Sequence, residues 1–356
     1  MPRDIASLLG HVSGGGSLSQ EEMAAAIDAI MRGEWSDDQI GLLLTALAAK
    51  GETVDEIAGA ALAMRRHMTP IRSRHAEVLD TCGTGGGGSK MFNVSTTAAI
   101  VAAAAGVPVA KHGNRSVTSS SGSADVLAEL GVNINATVRQ VEACLDELGL
   151  CFCFAPLMHP SMKHVSNVRK RLGIRTIFNV LGPLVNPAGA CFQLLGAGRP
   201  ELRPLLAGAI AKLGTRRTLV VSGDDGLGDV TLSGATQVSD VVAEGDLPVG
   251  NTTAGRAVAG VTSFTWRPSD FGIEAGATAS LAVATPAESA AIIRRVLAGE
   301  RGPTRDIVVL NAAAGLITAG RCSAAKTAAA AAVTAIDSGA ARDLLARLAE
   351  RSHAPA

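Results

Sequence analysis

The sequence predicts an α/β protein in which a small N-terminal α-helical domain precedes a large α/β domain with a mostly parallel central sheet. Three helix-start signals follow one another near the N-terminus, and short apolar runs alternate with helical segments from Glu77 onward. The length of 356 residues also suits about two domains at roughly 150 residues each. A chain of this size can bury a core large enough for an enzyme.

The N-terminal segment is predicted to be helical because each start signal is a capping box, in which two side chains three residues apart satisfy each other's backbone groups. The pairs are Ser19 and Glu22, Ser36 and Gln39, and Thr53 and Glu56. Apolar residues at i, i+3, i+4 and i+7 then give each helix one buried stripe. We place the helical domain at residues 1–72 and the α/β domain at 73–356, with a hinge segment near 165–190 that returns to the helical domain.

The α/β prediction depends on five short apolar runs that are typical of strands. They are Val78 to Thr81, Val107 to Ala110, Cys151 to Phe154, Phe192 to Leu195 and Thr218 to Val221. The Ala-rich stretches 96–105 and 327–335 are predicted to be helices of small residues that pack closely on the sheet.

Composition and charge exclude several classes of function. Lys and Arg number 32, as do Asp and Glu, so the formal net charge is zero and no overall field attracts nucleic acid or an anionic membrane. The longest apolar stretch, 98–110, has 13 residues, fewer than the roughly 20 that span a bilayer. The start of the chain lacks the pattern of a signal peptide, and the six cysteines form no C-x-x-C pair. We therefore expect a cytoplasmic protein that contacts neither nucleic acid nor membrane and carries buried thiols.

A glycine-rich loop follows the first predicted strand and precedes a predicted helix. It extends from Asp80 to Lys90 and is followed by Asn93, Ser95 and Thr96. Backbone N–H groups without a neighbouring Cβ, together with the positive end of a helix dipole, suit a phosphate or pyrophosphate. The spacing matches neither the P-loop nor the dinucleotide fingerprint. The alternative is a loop without a ligand.

Two further polar segments predict ligand contacts. Lys111 to Asp125 again follows a strand and combines two cations with many hydroxyl groups, which suits a second anion site; a Ser-rich linker is the alternative. The segment 158–187 contains clustered basic residues, of which Arg169 and His159 are placed to face inward. A guanidinium group there would suit a carboxylate, whereas a solvated basic helix face is the alternative.

Taken in order, these segments resemble anthranilate phosphoribosyltransferases nearly from end to end. The motifs are Gly83 to Gly86, Phe92 to Thr96, Lys111 to Ser116, Ser121 to Leu127, Gly173 to Asn179, Leu181 to Leu184 with Asn186 and Pro187, Asn311 to Ala313, and Ile336 to Gly339. The resemblance implies the fold shared with nucleoside phosphorylases, a homodimer formed through the helical domain, Mg²⁺ as cofactor, and transfer of phosphoribose from phosphoribosyl pyrophosphate to the anthranilate amine in tryptophan biosynthesis.

The resemblance also implies a set of site residues. Phosphoribosyl pyrophosphate would be bound by Gly83, Thr84, Gly85, Gly86, Gly87, Asn93, Ser95, Thr96, Lys111, Asn114, Ser119 and Ser123. Anthranilate would be bound by Gly83, His112, Asn114, His159, Arg169, Gly182 and Pro183, and the metal by Ser95 and Asp229. No dedicated catalytic residue is expected, because an aniline nitrogen is already neutral at pH 7 and needs only alignment with a stabilised leaving group.

Four residues, at three places in the sequence, depart from the family's pattern. Gly87 replaces an Asp, Met91 replaces a Thr, and Gly228 with Asp229 replaces an Asp-Glu metal pair. Loss of an anionic ligand is expected to weaken a Mg²⁺ site unless a neighbour such as Asp225 substitutes. Two alternatives to the transferase follow from these changes. One is a paralogue that glycosylates another aromatic acid or acts as a nucleoside phosphorylase, and the other is a binder without catalysis.

Overall fold

The N-terminal helices form where the capping boxes predict them. The computed structural model describes residues 4–85, 90–116, 121–243 and 260–355. Its first helices are α1 (Ile5–Ser13), α2 (Gln20–Met31), α3 (Asp37–Lys50) and α4 (Val54–Arg66). The caps of α2, α3 and α4 each show both reciprocal hydrogen bonds of the capping box, so these three start signals are confirmed.

The second part of the chain forms one seven-stranded sheet among the described residues. The strands are β1 (Leu79–Gly83), β2 (Val109–Gly113), β3 (Leu150–Phe154), β4 (Phe192–Gly196), β5 (Arg217–Gly223), β6 (Thr236–Val242) and β7 (Val261–Trp266), in the order β3-β2-β1-β4-β5-β6-β7. The strands β1 to β5 all pair in parallel. β6 pairs antiparallel with β5, and β7 pairs antiparallel with β6. The predicted fold class and all five predicted strands are confirmed. The strands β6 and β7 were not predicted.

Helices cover the sheet and connect its strands. They are α5 (Val94–Ala104), α6 (Ser123–Glu129), α7 (Val138–Leu148), α8 (Ala155–Met158), α9 (Lys163–Leu172), α10 (Phe178–Leu181), α11 (Leu202–Leu213), α12 (Pro286–Leu297), α13 (Pro303–Thr318), α14 (Ala325–Asp337) and α15 (Ala340–His353). Short 3₁₀ helices lie at Pro160–Met162, Gly182–Leu184, Pro268–Phe271 and Ala279–Leu281. The Ala-rich segments form α5 and α14, as predicted. Among the described residues, no helix combines the length and apolarity needed to cross a membrane.

Two hydrophobic clusters divide the interior. One lies between the central strands and the helices of the α/β part, and the other joins α1 to α4 with α11 and with buried residues of the segment 165–185. Arg65 of α4 strengthens this second contact, because its Nε donates a hydrogen bond of 2.8 Å to the Leu184 carbonyl. The segment predicted to be a hinge therefore packs on the N-terminal helices, while the exact domain boundary stays a prediction.

Glycines allow β1, β4 and the turn after β5 to approach closely at their carboxyl ends. A Cβ at Gly83 would lie 3.1 Å from the Gly196 carbonyl oxygen, and a Cβ at Gly196 would overlap the Gly228 carbonyl oxygen. A Cβ at Gly228 would in turn lie 3.0 Å from the Gly198 backbone nitrogen. All of these neighbours are backbone atoms, which cannot rotate away, so a side chain at Gly196 has no room, and one at Gly83 or Gly228 would require the backbone to shift by a few tenths of an ångström.

We predict that replacement of Gly228 by Ala destabilises the protein, because the added methyl group meets backbone rather than a movable side chain. The free energy of unfolding should fall by about 1–3 kcal/mol, the usual cost of overpacking. Gly234→Ala is the matched control, since a Cβ there would meet no atom within 4 Å. Chemical denaturation of both variants measures the difference, and equal stability of the two would contradict the close approach at Gly228.

Candidate active site

The predicted glycine loop begins at the carboxyl end of β1, beside β4. The Thr84 N–H donates a hydrogen bond of 2.9 Å to the Gly196 carbonyl, and the Gly198 N–H donates one of 3.1 Å to Thr84 Oγ1. Gly85 follows with φ of +64°, a left-handed conformation that favours glycine. The first residues of the predicted phosphate loop are thus held against the neighbouring strand, whereas Gly86 and Gly87 lie outside the described residues.

The polar residues at the start of α5 differ in how they are used. The Asn93 side chain is engaged within the protein, because its Oδ1 accepts hydrogen bonds of 2.6 Å from Ser121 Oγ and 2.8 Å from Ser289 Oγ. Thr96 Oγ1 is buried and has no hydrogen-bond partner among the described residues. Ser95 lies between these two residues, with its hydroxyl 3.4 Å from the Lys111 ammonium. Asn93 therefore braces this end of the helix, while Ser95 lies beside a cation.

Lys111 is a buried cation between the ends of β1 and β2. Its side chain is only 4% exposed, and its Nζ donates a hydrogen bond of 2.6 Å to the Thr81 carbonyl. Burial lowers its pKa, while the nearby carboxylates of Asp80 and Asp229 oppose this shift. Its ammonium group is thus held by the Thr81 carbonyl oxygen next to Ser95, with two carboxylates close enough to favour its charge, in the position where a phosphate group was predicted.

The predicted metal residues line one small cavity. Ser95, Gly228 and Asp229 are among its lining residues, so a hydroxyl and a carboxylate share this space. Burial raises the pKa of Asp229 to about 7, and the Lys111 ammonium opposes that rise. No group of three or more His, Cys, Asp or Glu side chains that could hold a metal ion occurs in the part of the chain that the structure describes.

Asp225, the neighbour that could substitute for the missing carboxylate, is engaged within its own turn. Its Oδ2 accepts hydrogen bonds from the hydroxyl groups of Thr231 and Ser233, and its Oδ1 accepts one of 3.2 Å from the Leu227 N–H. The side chain is therefore used to hold its own turn. The available donor set fits a Mg²⁺ ion held by one carboxylate, one hydroxyl, water and phosphate oxygens, because Mg²⁺ in phosphate-binding enzymes is commonly bound through one or two carboxylates and the substrate.

The predicted acceptor residues meet on the other side of β2. His112 Nδ1 lies 3.1 Å from the Gly182 carbonyl oxygen, and its Nε2 lies 3.2 Å from His159 Nε2. The His112 backbone N–H donates to Asp80 Oδ1 at 3.2 Å. Burial lowers the pKa of His112 to about 4 and that of His159 to about 3. Both rings are therefore neutral at pH 7.

Arg169 projects from α9 onto the segment that contains Gly182. Its guanidinium carbon lies 5.6 Å from the centre of the Phe178 ring, within the range of a cation–π contact. Burial lowers the pKa of Arg169, yet an arginine remains charged at pH 7. Next to Gly182, the Pro183 carbonyl accepts a hydrogen bond from Gln193 Nε2 of β4. The hinge segment is thus joined to the sheet at the predicted acceptor site.

The remaining predicted residues lie at the rim of β2. Asn114 is exposed, with its Oδ1 accepting a hydrogen bond of 2.7 Å from the Arg115 N–H. Ser123 Oγ donates one of 3.3 Å to the Asn114 carbonyl. Ser119 lies outside the described residues. Of the departures from the family pattern, Met91 forms an isolated antiparallel bridge with Ala282, so it joins this region to the segment before α12.

Asp80 is a site residue that the sequence reasoning did not identify. Its carboxylate is fully buried and accepts the His112 backbone N–H. Burial raises its pKa, and the charge of Lys111 opposes this rise. The available signal was an acidic residue inside the apolar strand of residues 78–82, since a carboxylate is seldom buried without a partner.

The chain matches known proteins over nearly its whole length. Residues 75–342 match the family described as "Glycosyl transferase family, a/b domain", and residues 6–68 match "Glycosyl transferase family, helical bundle domain". An anthranilate phosphoribosyltransferase of Rhodopirellula baltica is 47% identical over 96% of this chain and 95% of that protein. Another, of Methylobacterium radiotolerans, is 48% identical over 97% of this chain and 95% of that protein.

Solved structures agree with these relatives. Anthranilate phosphoribosyltransferase from Thermus thermophilus superposes with a TM-score of 0.88 at 40% identity, covering 97% of this chain and 99% of that one. The enzyme from Saccharomyces cerevisiae, solved in complex with PRPP and Mg, gives a TM-score of 0.85 at 29% identity, covering 98% and 97%. The chain therefore belongs to the anthranilate phosphoribosyltransferase family.

Proposed function

We propose that this protein transfers the phosphoribosyl group of phosphoribosyl pyrophosphate to the amine of anthranilate, in tryptophan biosynthesis. Besides family membership, one observation carries the proposal: two consecutive residues of β2 divide the site. Lys111 contacts the phosphate side at Thr81 and Ser95, whereas His112 contacts the hinge segment at Gly182. Because successive side chains of a strand point to opposite faces, this one strand supplies neighbouring residues to both predicted halves of the site.

The reaction needs alignment more than proton transfer. The anthranilate nitrogen forms a bond to the ribose C1 while the bond from C1 to the pyrophosphate oxygen breaks, and the pyrophosphate leaves with the electron pair. The nitrogen afterwards loses one proton to water. Since both ring nitrogens of His112 contact other protein groups, the described residues provide positioning and charge instead of a general base at this point.

We propose Ser95 and Asp229 as the residues that hold Mg²⁺, with Lys111 beside them. When bound, the ion would neutralise the negative charge that develops on the pyrophosphate. Lys111 would contact a phosphate group directly, and the first residues of the glycine loop would donate backbone N–H groups. A Cβ at Gly228 would lie 3.0 Å from the Gly198 backbone nitrogen, so a second carboxylate at this position would require the turn to shift.

The proposed activity is tested by the loss of anthranilate fluorescence on addition of phosphoribosyl pyrophosphate and Mg²⁺. Hydroxybenzoates and free nucleosides with phosphate serve as alternative substrates, because they represent the paralogue activities suggested by the altered positions. We expect turnover with anthranilate and with none of the alternative substrates. Turnover with another acceptor at a higher kcat/KM, or none with any of them, would contradict the proposal.

Arg169 is predicted to bind the acceptor carboxylate. Removal of a charge-assisted hydrogen bond in Arg169→Ala should raise the KM for anthranilate by about 10- to 100-fold and leave the KM for phosphoribosyl pyrophosphate nearly unchanged. Arg171→Ala is the control on the same helix, since Arg171 is exposed and pairs with Asp37. Steady-state kinetics with each substrate varied in turn measures both constants, and equal losses for the two substrates would argue against this role.

We further propose a homodimer formed through the helical domain and a cytoplasmic location. An apolar groove on α1 and α2 is lined by Ile5, Leu8, Ala25 and Ala29 among others, and Leu42 of α3 is 57% exposed. A small domain buries little apolar surface by itself, so a second copy would stabilise it.

The proposed cytoplasmic location agrees with the state of the cysteines. All six are free thiols, as expected in a reducing compartment.

Light scattering should give twice the chain mass of 36.0 kDa at micromolar concentration. Leu42→Asp should shift the protein toward the monomer, because it places a charge on the proposed interface. Leu157→Asp is the control, since Leu157 is also exposed, at 42%, but lies in α8, outside the helical domain. A wild-type mass of one chain would refute the dimer.

A further inference from the structure

The two buried histidines form a hydrogen-bonded chain that begins at the carbonyl group of Gly182. His112 Nδ1 lies 3.1 Å from the Gly182 carbonyl oxygen, and the two Nε2 atoms are 3.2 Å apart. At the far end, the Val185 carbonyl favours a proton on His159. His112 is 6% exposed and His159 is 7% exposed, so water does not compete for these contacts.

Counting protons restricts how this chain can be formed. A carbonyl oxygen only accepts, so the contact with Gly182 requires the proton of His112 on Nδ1. The neutral His112 ring then has a lone pair on Nε2, and the short contact to His159 requires that His159 donates from its own Nε2. His159 Nδ1 is left without a proton. A proton on His159 Nδ1 instead would leave two Nε2 lone pairs facing each other across 3.2 Å, so the neutral pair forgoes a hydrogen bond to the Val185 carbonyl.

The surroundings keep the pair neutral. Lys111, next to His112 on β2, disfavours a further positive charge, and so does burial. The Asp80 carboxylate of β1 accepts a hydrogen bond from the backbone N–H of His112 and not from its ring. The ring contacts the hinge segment instead. On that segment, the His112 ring contacts the Gly182 carbonyl and His159, neither of which is an anion.

We propose that His159 is a positioning residue, which fixes His112 as its Nδ1–H tautomer and holds the ring in one orientation beside the acceptor. The consequence of this inference rests on the proposed function. It is that His112 offers the acceptor a ring surface and no hydrogen-bonding nitrogen. His159, which the resemblance placed among the anthranilate ligands, then acts through His112. The neutral ring forms a flat apolar wall, which suits an aromatic acceptor.

The tautomers are tested on the full-length protein without any substrate. The chain has seven histidines, so selective ¹⁵N labelling gives a spectrum that His112→Gln and His159→Gln variants can assign. We expect His112 protonated on Nδ1 and His159 on Nε2, with neither ring titrating between pH 5.5 and 8. The reversed tautomers, or a titration near the usual histidine pKa of about 6.5, would overturn the proposal.

Kinetics tests the consequence for the acceptor. His159→Leu removes the donor and should raise the KM for anthranilate by about tenfold, the cost of one lost hydrogen bond. The kcat and the KM for phosphoribosyl pyrophosphate should change by less than about twofold. His159→Gln, whose amide nitrogen can donate to His112 Nε2, should recover most of the loss. The control is His353→Leu, at an exposed position in α15.

The outcomes separate the proposal from a structural role and from the proposed function. Any of three results would refute a positioning role. They are equal effects of Leu and Gln at position 159, an unchanged KM for anthranilate in His159→Leu, and a fall in kcat that accompanies a rise in both KM values. If the wild-type protein fails to use anthranilate at all, the proposed function fails, and the ¹⁵N spectrum still decides whether His159 fixes the tautomer of His112. Thermal unfolding of each variant confirms that the fold is kept.

Discussion

The buried ammonium group of Lys111 is the interaction on which the arrangement of the site depends. It lies between β1, α5 and the turn after β5, and the carboxylates of Asp80 and Asp229 favour its charged form. An ion in such a place is stable only while its partners stay in position. The end of β1, the start of α5 and the turn that contains Asp229 must therefore keep their mutual spacing, which the close backbone contacts at Gly196 and Gly228 also impose.

This charge balance would explain why the proposed donor site takes up a cation from outside. One ammonium group faces Asp80 and Asp229, and the pKa of about 7 leaves Asp229 partly ionised at neutral pH, so these groups together offer little positive potential to a pyrophosphate. A divalent ion that arrives with the substrate would supply it, and Asp229 with Ser95 would bind that ion where the cavity already places their oxygens. The acceptor half has the opposite character, because its two histidines are neutral and the guanidinium group of Arg169 stands against an aromatic ring.

Local signals in the sequence were sufficient for much of the fold. The capping boxes and the five parallel strands were predictable because each depends on neighbouring residues. The strands β6 and β7 were missed, since β6 mixes polar with apolar residues and β7 is largely exposed. The motifs also predicted a site at the strand ends, where the structure brings Ser95, Lys111 and Asp229 close together. They did not reveal that Asn93 is engaged by serines or that Asp80 supports His112, because these contacts join residues far apart in the chain.

The altered metal pair shows most clearly what the sequence alone could not explain. In the sequence, Gly228 indicates a lost ligand, whereas in the structure its carbonyl group lies against Gly196 at the end of β4 and its Cα lies against the backbone of Gly198. The three glycines thus take part in one close backbone contact. The sequence contains these glycines, but only the fold shows that they touch.

The central claim, that the donor site lacks positive charge until a divalent ion binds, is tested most directly by calorimetric titration of phosphoribosyl pyrophosphate into the protein with Mg²⁺ and with EDTA. The charge balance around Lys111 predicts a Kd at least about tenfold lower with Mg²⁺ than with EDTA. Equal Kd values under the two conditions would contradict it.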